Sequence, residues 1–404
     1  MPKADLIIGI DIGTQSTKIL AVDQNQNEEE GLEIVFRGQL ESRGMRKGVV
    51  INPAEVSNIL QELFLRMNQE TDQKADLVHI NVGGSHIFDC PSRGLISVSR
   101  ADQKISGEDV KRVLQEAESV SFPRNNEIFD VITKEFIIDG VRGIKSAEGL
   151  QGVKLEAEVL VLGGFAPYLE NLNQAVMGSE VQQILDRTPS SMAAARACLT
   201  QKQKELGVAL VDIGAGTTGL AVFEEGGLIH LKVLPIGSAN ITNDIAIGLK
   251  TDLDTAEKIK IEYGTCISEK KQKREKIESG EGEYLIFSRK QLADIIAPRI
   301  SEILREINKE LRKIFRERLL PAGIVLTGGG CKLPKIIELA KKELKLPVRI
   351  GNPQGISGLK DPIWSTCCGL ILGGVNPQNG GGQISEAVKG IGARIKKLLK
   401  SLIP

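Results

Sequence analysis

The sequence predicts an α/β protein of two duplicated lobes, with a small α+β insertion and an amphipathic helix at the C-terminus. Two observations carry the duplication and its ligand. Residues 8–22 (IGIDIGTQSTKILAV) align without a gap on residues 209–223 (ALVDIGAGTTGLAVF), setting Asp11 on Asp212, Gly13 on Gly214 and Thr17 on Thr218. Each copy reads as two apolar strands around a glycine turn. The repeat suggests two halves that face each other across one nucleotide. Residues 323–334 (GIVLTGGGCKLP) then add a strand that runs into Gly328, Gly329 and Gly330 and on into a helix.

The turns concentrate the chemistry. Asp11, Gly13, Thr14, Gln15 and Ser16 are followed by Lys18, and the second turn gathers Asp212, Gly214, Ala215, Gly216, Thr217 and Thr218. Glycines let backbone N–H groups converge on an anion, as in phosphate cradles. A strand-end Asp can hold Mg²⁺ through its water shell, because that ion keeps several waters. Asp11 and Asp212 are thus the expected metal-facing carboxylates. Lys18 reads either as a charge partner at the phosphates or as a solvent-facing strand residue. For either stretch alone, an ordinary glycine-rich hairpin is the alternative.

Length and composition exclude several classes. A chain of 404 residues can build two or more domains with real cores. Lysine plus arginine equals aspartate plus glutamate at 52 each, so no global charge draws nucleic acid. Aromatics at 3% leave no single-strand binding face. Six scattered cysteines without CxxC spacing and three histidines argue against a zinc site. Adjacent Cys367 and Cys368 read as small buried helix residues. Residues 1–5 do not resemble a signal peptide, and no apolar run approaches 18 residues, so an intracellular protein without a bilayer span is expected.

In chain order, strands are expected at 6–12, 16–23 and 32–39, a meander with a solvated turn at 24–30 (QNQNEEE). A short strand at 48–51 precedes a helix capped by Asn52 and opened by Pro53, running to about Asn68. Residues 77–82 return as a strand. The insertion follows, with strands at 85–88, 95–99, 128–136 and 152–162 and a helix at 107–118. A helix (167–177), a strand (181–185) and a helix from Ser190 lead into the second hairpin. Residues 228–235 form a strand. A helix then starts at Gly237, where Ser238, Asn240 and Thr242 suit capping or a ribose or phosphate contact. KKQKREK at 270–276 reads as a solvated loop tip. A strand at 283–287, a long amphipathic helix at 291–317 and helices at 333–345 and 361–372 complete the second half.

The three glycine-bearing stretches, in this order and spacing, resemble the two phosphate motifs and the adenosine motif of the ATPase superfamily of actin, sugar kinases and large heat-shock chaperones. The resemblance implies an actin-like, duplicated RNase H-like two-lobe fold. It implies ATP with Mg²⁺, Gly13–Ser16 and Gly214–Thr217 on the phosphates, and Gly328–Gly330 over the adenosine. It also implies that Glu257 and Lys260, in DTAEKIKI, hold the ribose. By spacing alone that pair reads as an i,i+3 surface ion pair.

Within the insertion, SRGLISVSR, ISGEDVKRVLQEA, EIFDVITKEFIIDG and GIKSAEGLQGVKLEAEVLVLGG resemble FtsA, the bacterial cell-division actin homologues. These carry a subdomain called 1C where actin has a different one; an unrelated α+β insertion is the alternative. The resemblance implies residues 1–84 and 150–204 as the first lobe core (1A) and 85–149 as 1C. It implies 205–235 and 319–375 as the second core (2A), and 236–318 as 2B. In that family 2B binds the C-terminal peptide of FtsZ, the tubulin-like division protein, and the chains self-associate into filaments.

The tail adds a membrane function. NPQNGGGQ at 376–383 reads as a flexible linker. Beyond it, at about 100° per residue, Ile384, Val388, Ile391, Ile395, Leu398, Leu399 and Leu402 share one face. Lys396, Lys397 and Lys400 lie opposite. That profile fits an interfacial helix on anionic lipid; a helix docked on its own domain is the alternative. FtsA proteins end in such a helix, although the Trp or Phe often seen in it is missing at 384–404.

Together these expectations describe an ATP-binding, actin-like division protein. It polymerises on the cytoplasmic face of the membrane at the division site and tethers FtsZ filaments there. PilM, the actin-like scaffold of type IV pili, is the alternative. A sugar or acid kinase would need a catalytic Asp that is not evident, and a heat-shock chaperone would need a further domain after residue 375. No residue stands out as catalytic. Where FtsA relatives often carry Glu-Pro-Leu, this chain has Ser190, Ser191 and Met192. A serine is no carboxylate base, so ATP hydrolysis is expected to be slow or negligible.

Overall fold

The computed structural model describes residues 6–23, 32–74, 77–119, 125–179, 181–268, 274–279 and 283–375. The turn expected at 24–30, the linker at 376–383 and the amphipathic helix at 384–404 lie outside the described residues.

Two five-stranded sheets repeat one strand order. The first runs Gln183–Pro189, Leu77–Val82, Leu6–Ile12, Ser16–Asp23, Ile34–Glu41. The second runs Val348–Ile350, Ile324–Thr327, Val208–Ile213, Thr218–Glu224, Gly227–Leu234. In each, the hairpin is antiparallel and two further strands join in parallel. The hairpins also share register, with Asp11 opposite Lys18 and Asp212 opposite Gly219. The duplication read from sequence is therefore one of topology, and the fold is the expected actin-like one. Both hairpins are apolar on both faces because helices cover them.

Two of those helices cross. Helix Ser190–Cys198 follows the last strand of the first sheet yet packs on Val208–Ile213 and Thr218–Glu224 of the second. Helix Ser365–Val375 follows the second sheet and packs on Leu6–Ile12, Ser16–Asp23 and Leu77–Val82 of the first. They meet where a Cβ on Gly369 would lie 1.7 Å from the Ala193 carbonyl oxygen. Cys367 and Cys368 are fully buried there, as small residues in a crowded helix should be.

Helix Pro53–Thr71 begins as expected, with the Asn52 side chain accepting from Glu55 N and a proline in the first turn. It extends past Asn68 to a left-handed Asp72 (φ 55°). The helix expected at 361–372 starts later, at Ser365, after a single turn Pro362–Trp364 capped by Asp361. The charge run at 270–276 is corrected in part. Arg274–Ser279 is a strand paired with Glu283–Ser288, since alternate charges suit a two-stranded ribbon open to water.

Ile87–Ala166 forms a compact unit of its own. Its sheet runs Phe88–Ser97, Lys154–Phe165, Asn126–Ile138, Val141–Ile144, and helix Gly107–Glu118 packs on it around Val113, Leu114, Val131, Leu155 and Val159. The break expected between 88 and 95 is absent. Phe88–Ser97 is an edge strand, the place in a sheet where a proline such as Pro91 is tolerated. Asp139 and Gly140, both at positive φ, make a tight turn into Val141–Ile144, a strand missed in the sequence.

Asp109 locks the helix of this unit. Its carboxylate accepts from Ser106 N at 3.0 Å, Ser106 Oγ at 2.6 Å, Ser99 N at 3.1 Å and Arg112 Nη2 at 2.5 Å. Burial alone would raise this carboxyl, but the donors from Ser106, Arg112 and Ser99 outweigh it and hold it well below the ordinary range. A lowered folded-state pKa contributes stability above the unfolded carboxyl's pKa of about 3.9 and loses it as pH falls further. Asp109→Asn is expected to cost about 2 kcal/mol at pH 7, in urea unfolding. The difference from wild type should narrow at pH 3; a constant difference would show that the charge is irrelevant.

Candidate functional site

The two hairpins and the Gly328 loop enclose a cavity of about 750 Å³. The first turn contributes Asp11, Gly13, Thr14, Gln15, Ser16 and Lys18 to its wall. The second contributes Asp212, Gly214, Ala215 and Thr217. Gly328, Gly329 and Gly330 close one side, with Glu257 and Lys260 nearby.

Three residues expected at a ligand are not in the wall. Thr218 is fully buried and its hydroxyl donates to the Ile236 carbonyl at 2.8 Å. Gly237 lets a helix start press on the second turn, and Ser238 N and Ala239 N donate to the Gly214 and Ala215 carbonyls at 2.8 Å each. Gly216 sits where a Cβ would lie 2.7 Å from Thr14 Oγ1, so the tips of the two turns touch. These residues serve backbone approach between segments.

Lys18 does not face solvent. Its Nζ donates to Asp11 Oδ2 at 2.9 Å, with both side chains close to nine-tenths covered. Burial disfavours the charged lysine, yet Asp11, together with Cys367 and Asp212, outweighs it and raises its pKa. Asn81, missed in the sequence, fixes the other oxygen. Its Nδ2 donates to Asp11 Oδ1 at 2.8 Å and to Ser190 Oγ at 3.0 Å, while its Oδ1 accepts from Ile12 N at 2.8 Å. The signal for it was a polar residue inside the apolar strand at 77–82.

Asp212 has no lysine, since Gly219 stands at the matching register position. Burial and then the Asp11 charge push its carboxyl up to about 7, with Lys18 and the Thr366 hydroxyl opposing. A carboxyl raised in part by a like charge is one that a nearby divalent cation would return to its ionised form. Among the described residues no three His, Cys, Asp or Glu side chains gather into a direct ligand set. Two carboxylates in one cavity wall fit Mg²⁺ held through its waters. Gly328, at φ 80°, is forced by this geometry: a Cβ there would lie 2.3 Å from Asp212 Oδ1.

Glu257 and Lys260 are not a surface pair. Lys260 is buried, and its Nζ lies 2.6 Å from Glu257 Oε2 and 2.9 Å from Thr242 Oγ1. Burial would raise the Glu257 carboxyl, but hydrogen bonds from Lys260 and Thr242 bring it below the ordinary range. An ionised carboxylate at the cavity edge can accept from a ligand hydroxyl. Ser190 and Ser191 also line the cavity.

Family models described as "Cell division protein FtsA" and "SHS2 domain inserted in FTSA" match residues 209–369 and 84–162. The chain is 35% identical over 389 residues to the cell division protein FtsA of Pseudomonas aeruginosa, covering 94% of this chain and 92% of that one. It is 34% identical to that of Bacillus subtilis, covering 92% and 84%. Among solved structures, a PilM–PilN type IV pilus biogenesis complex matches at 20% identity and TM-score 0.67, over 93% of this chain and 99% of that one. MreB5 of Spiroplasma citri bound to ADP matches at 13% identity and TM-score 0.58, over 96% and 99%. Identities this low concern the fold alone.

Proposed function

The chain belongs to the FtsA family of cell-division proteins, and from that premise we propose that it binds Mg–ATP, assembles into filaments and tethers FtsZ to the membrane. The observation that carries the nucleotide reading is the cavity between two glycine turns, each with its own carboxylate in the cavity wall. Backbone at Gly13–Ser16 and at Gly214, Ala215 and Thr217 cradles the phosphates. Asp11 and Asp212 meet Mg²⁺ through its waters, Glu257 and Lys260 take the ribose, and Gly328–Gly330 cover the adenosine. With serine at 190 and 191, those positions offer no carboxylate to activate water, so ATP serves as a slow switch or a brace for the filament.

Residues 236–318, as subdomain 2B, take the C-terminal peptide of FtsZ. Residues 384–404 bind anionic lipid on the cytoplasmic face at the division site. Among the described residues no helix is long and apolar enough to cross a membrane. One such tail anchors weakly, and assembly links many on one surface. A pilus scaffold like PilM is supported by fold alone, so the family assignment takes precedence over it.

Liposome co-sedimentation with Mg–ATP tests the reading. The full chain should pellet with anionic vesicles, and a chain truncated after Val375 should stay in the supernatant. If both pellet equally, or neither does, the tail is not the anchor.

A further inference from the structure

Resting on the Mg–ATP reading, we propose that Ser191, with the start of its helix, is the subsite for the terminal phosphate and sets a preference for triphosphate over diphosphate. Ser191 is 1% exposed, lines the cavity, and its Oγ has no hydrogen-bond partner in the protein. A buried hydroxyl without a partner calls for one that the protein itself does not supply.

The surroundings favour an anion. Helix Ser190–Cys198 starts after Pro189, with no side chain capping its first N–H groups, and its first two residues both face the cavity. An uncapped helix start offers donors and a positive partial charge to a phosphate. Gly219 makes the room. A Cβ there would lie 2.9 Å from Ser191 Cβ and 3.2 Å from its Oγ, at the register position that Lys18 fills in the other hairpin. One hairpin thus carries an ammonium beside its carboxylate, and the other leaves space for a neutral donor.

The third phosphate is the group that fits. Each hairpin turn supplies one cradle, and Ser191 lies on neither turn. A donor set without a carboxylate holds this phosphate and leaves the water beside it unactivated.

Equilibrium dialysis with Mg–ATP and Mg–ADP separates the possibilities, using wild type, Ser191→Ala and Ser191→Thr. Ser191→Ala should raise the Kd for ATP about three- to tenfold, the loss of one hydrogen bond. The Kd for ADP should stay within about twofold, and Ser191→Thr, which keeps the hydroxyl, should restore ATP binding. Without nucleotide, Ser191→Ala should melt no lower than wild type, because it removes an unpaired buried hydroxyl. Equal shifts for ATP and ADP, or none, overturn the subsite. A wild type that retains neither nucleotide overturns the ATP reading as well, and the wild-type arm alone reveals that outcome.

Discussion

Replacing Gly369 with alanine is expected to destabilise the protein by about 3 kcal/mol, at the upper end of what an overpacked site costs. In an open helix the same change would gain roughly 1 kcal/mol from propensity. Here the added carbon meets the Ala193 carbonyl at 1.7 Å, far inside any real contact, so the two crossing helices must move apart. Neither can yield cheaply, since Ala193, Ala194, Cys367, Cys368 and Leu370 around the crossing are buried. The urea midpoint should fall with little change in slope. An unchanged or raised midpoint would show that the helices part freely.

The second large effect is expected from Lys18→Met, at about 3 kcal/mol. Removing one partner of a buried pair leaves the other charge without compensation. Asp11 would keep only Asn81, with Asp212 close enough to raise the cost. The double variant Asp11→Asn, Lys18→Met removes both charges and should recover part of the loss, which a double-mutant cycle measures as coupling. Additive losses would mean that the 2.9 Å contact contributes nothing specific.

Both predictions rest on residues whose roles differ in how far sequence revealed them. The hairpins were legible because an ungapped repeat fixes register, which placed Asp11 and Asp212 alike. Lys18 sat in a strand between Thr17 and Ile19, where the pattern allows either face, and only the structure decides for burial. Asn81 and Thr366 reach the cavity from segments about 70 and 150 residues from the nearer carboxylate, and no local pattern marks such contacts. Gly216 and Gly237 were legible as special but not in kind, because a glycine that lets two backbones touch looks like one that receives a phosphate. The unbroken strand Phe88–Ser97 was not legible for a related reason: a proline such as Pro91 is compatible with a strand only where that strand lies at an edge, which is a property of the sheet. The insertion helix fell where expected because Ser106 and Asp109 form a capping box.

The crossing helices also govern the order in which the chain can acquire its structure. Gly9, in the first strand to be synthesised, packs against Cys367 and Ile371, more than 350 residues later. The sheet of the first lobe therefore stays uncovered on one face until almost the whole described chain has left the ribosome. Contacts that distant make assembly slow and leave apolar strands open to other chains in the meantime. A fragment ending before Ser365 lacks the helix that packs on Gly9 and covers the face of its register partner Leu20. The two lobes are then not independent modules: each matures only when the other does.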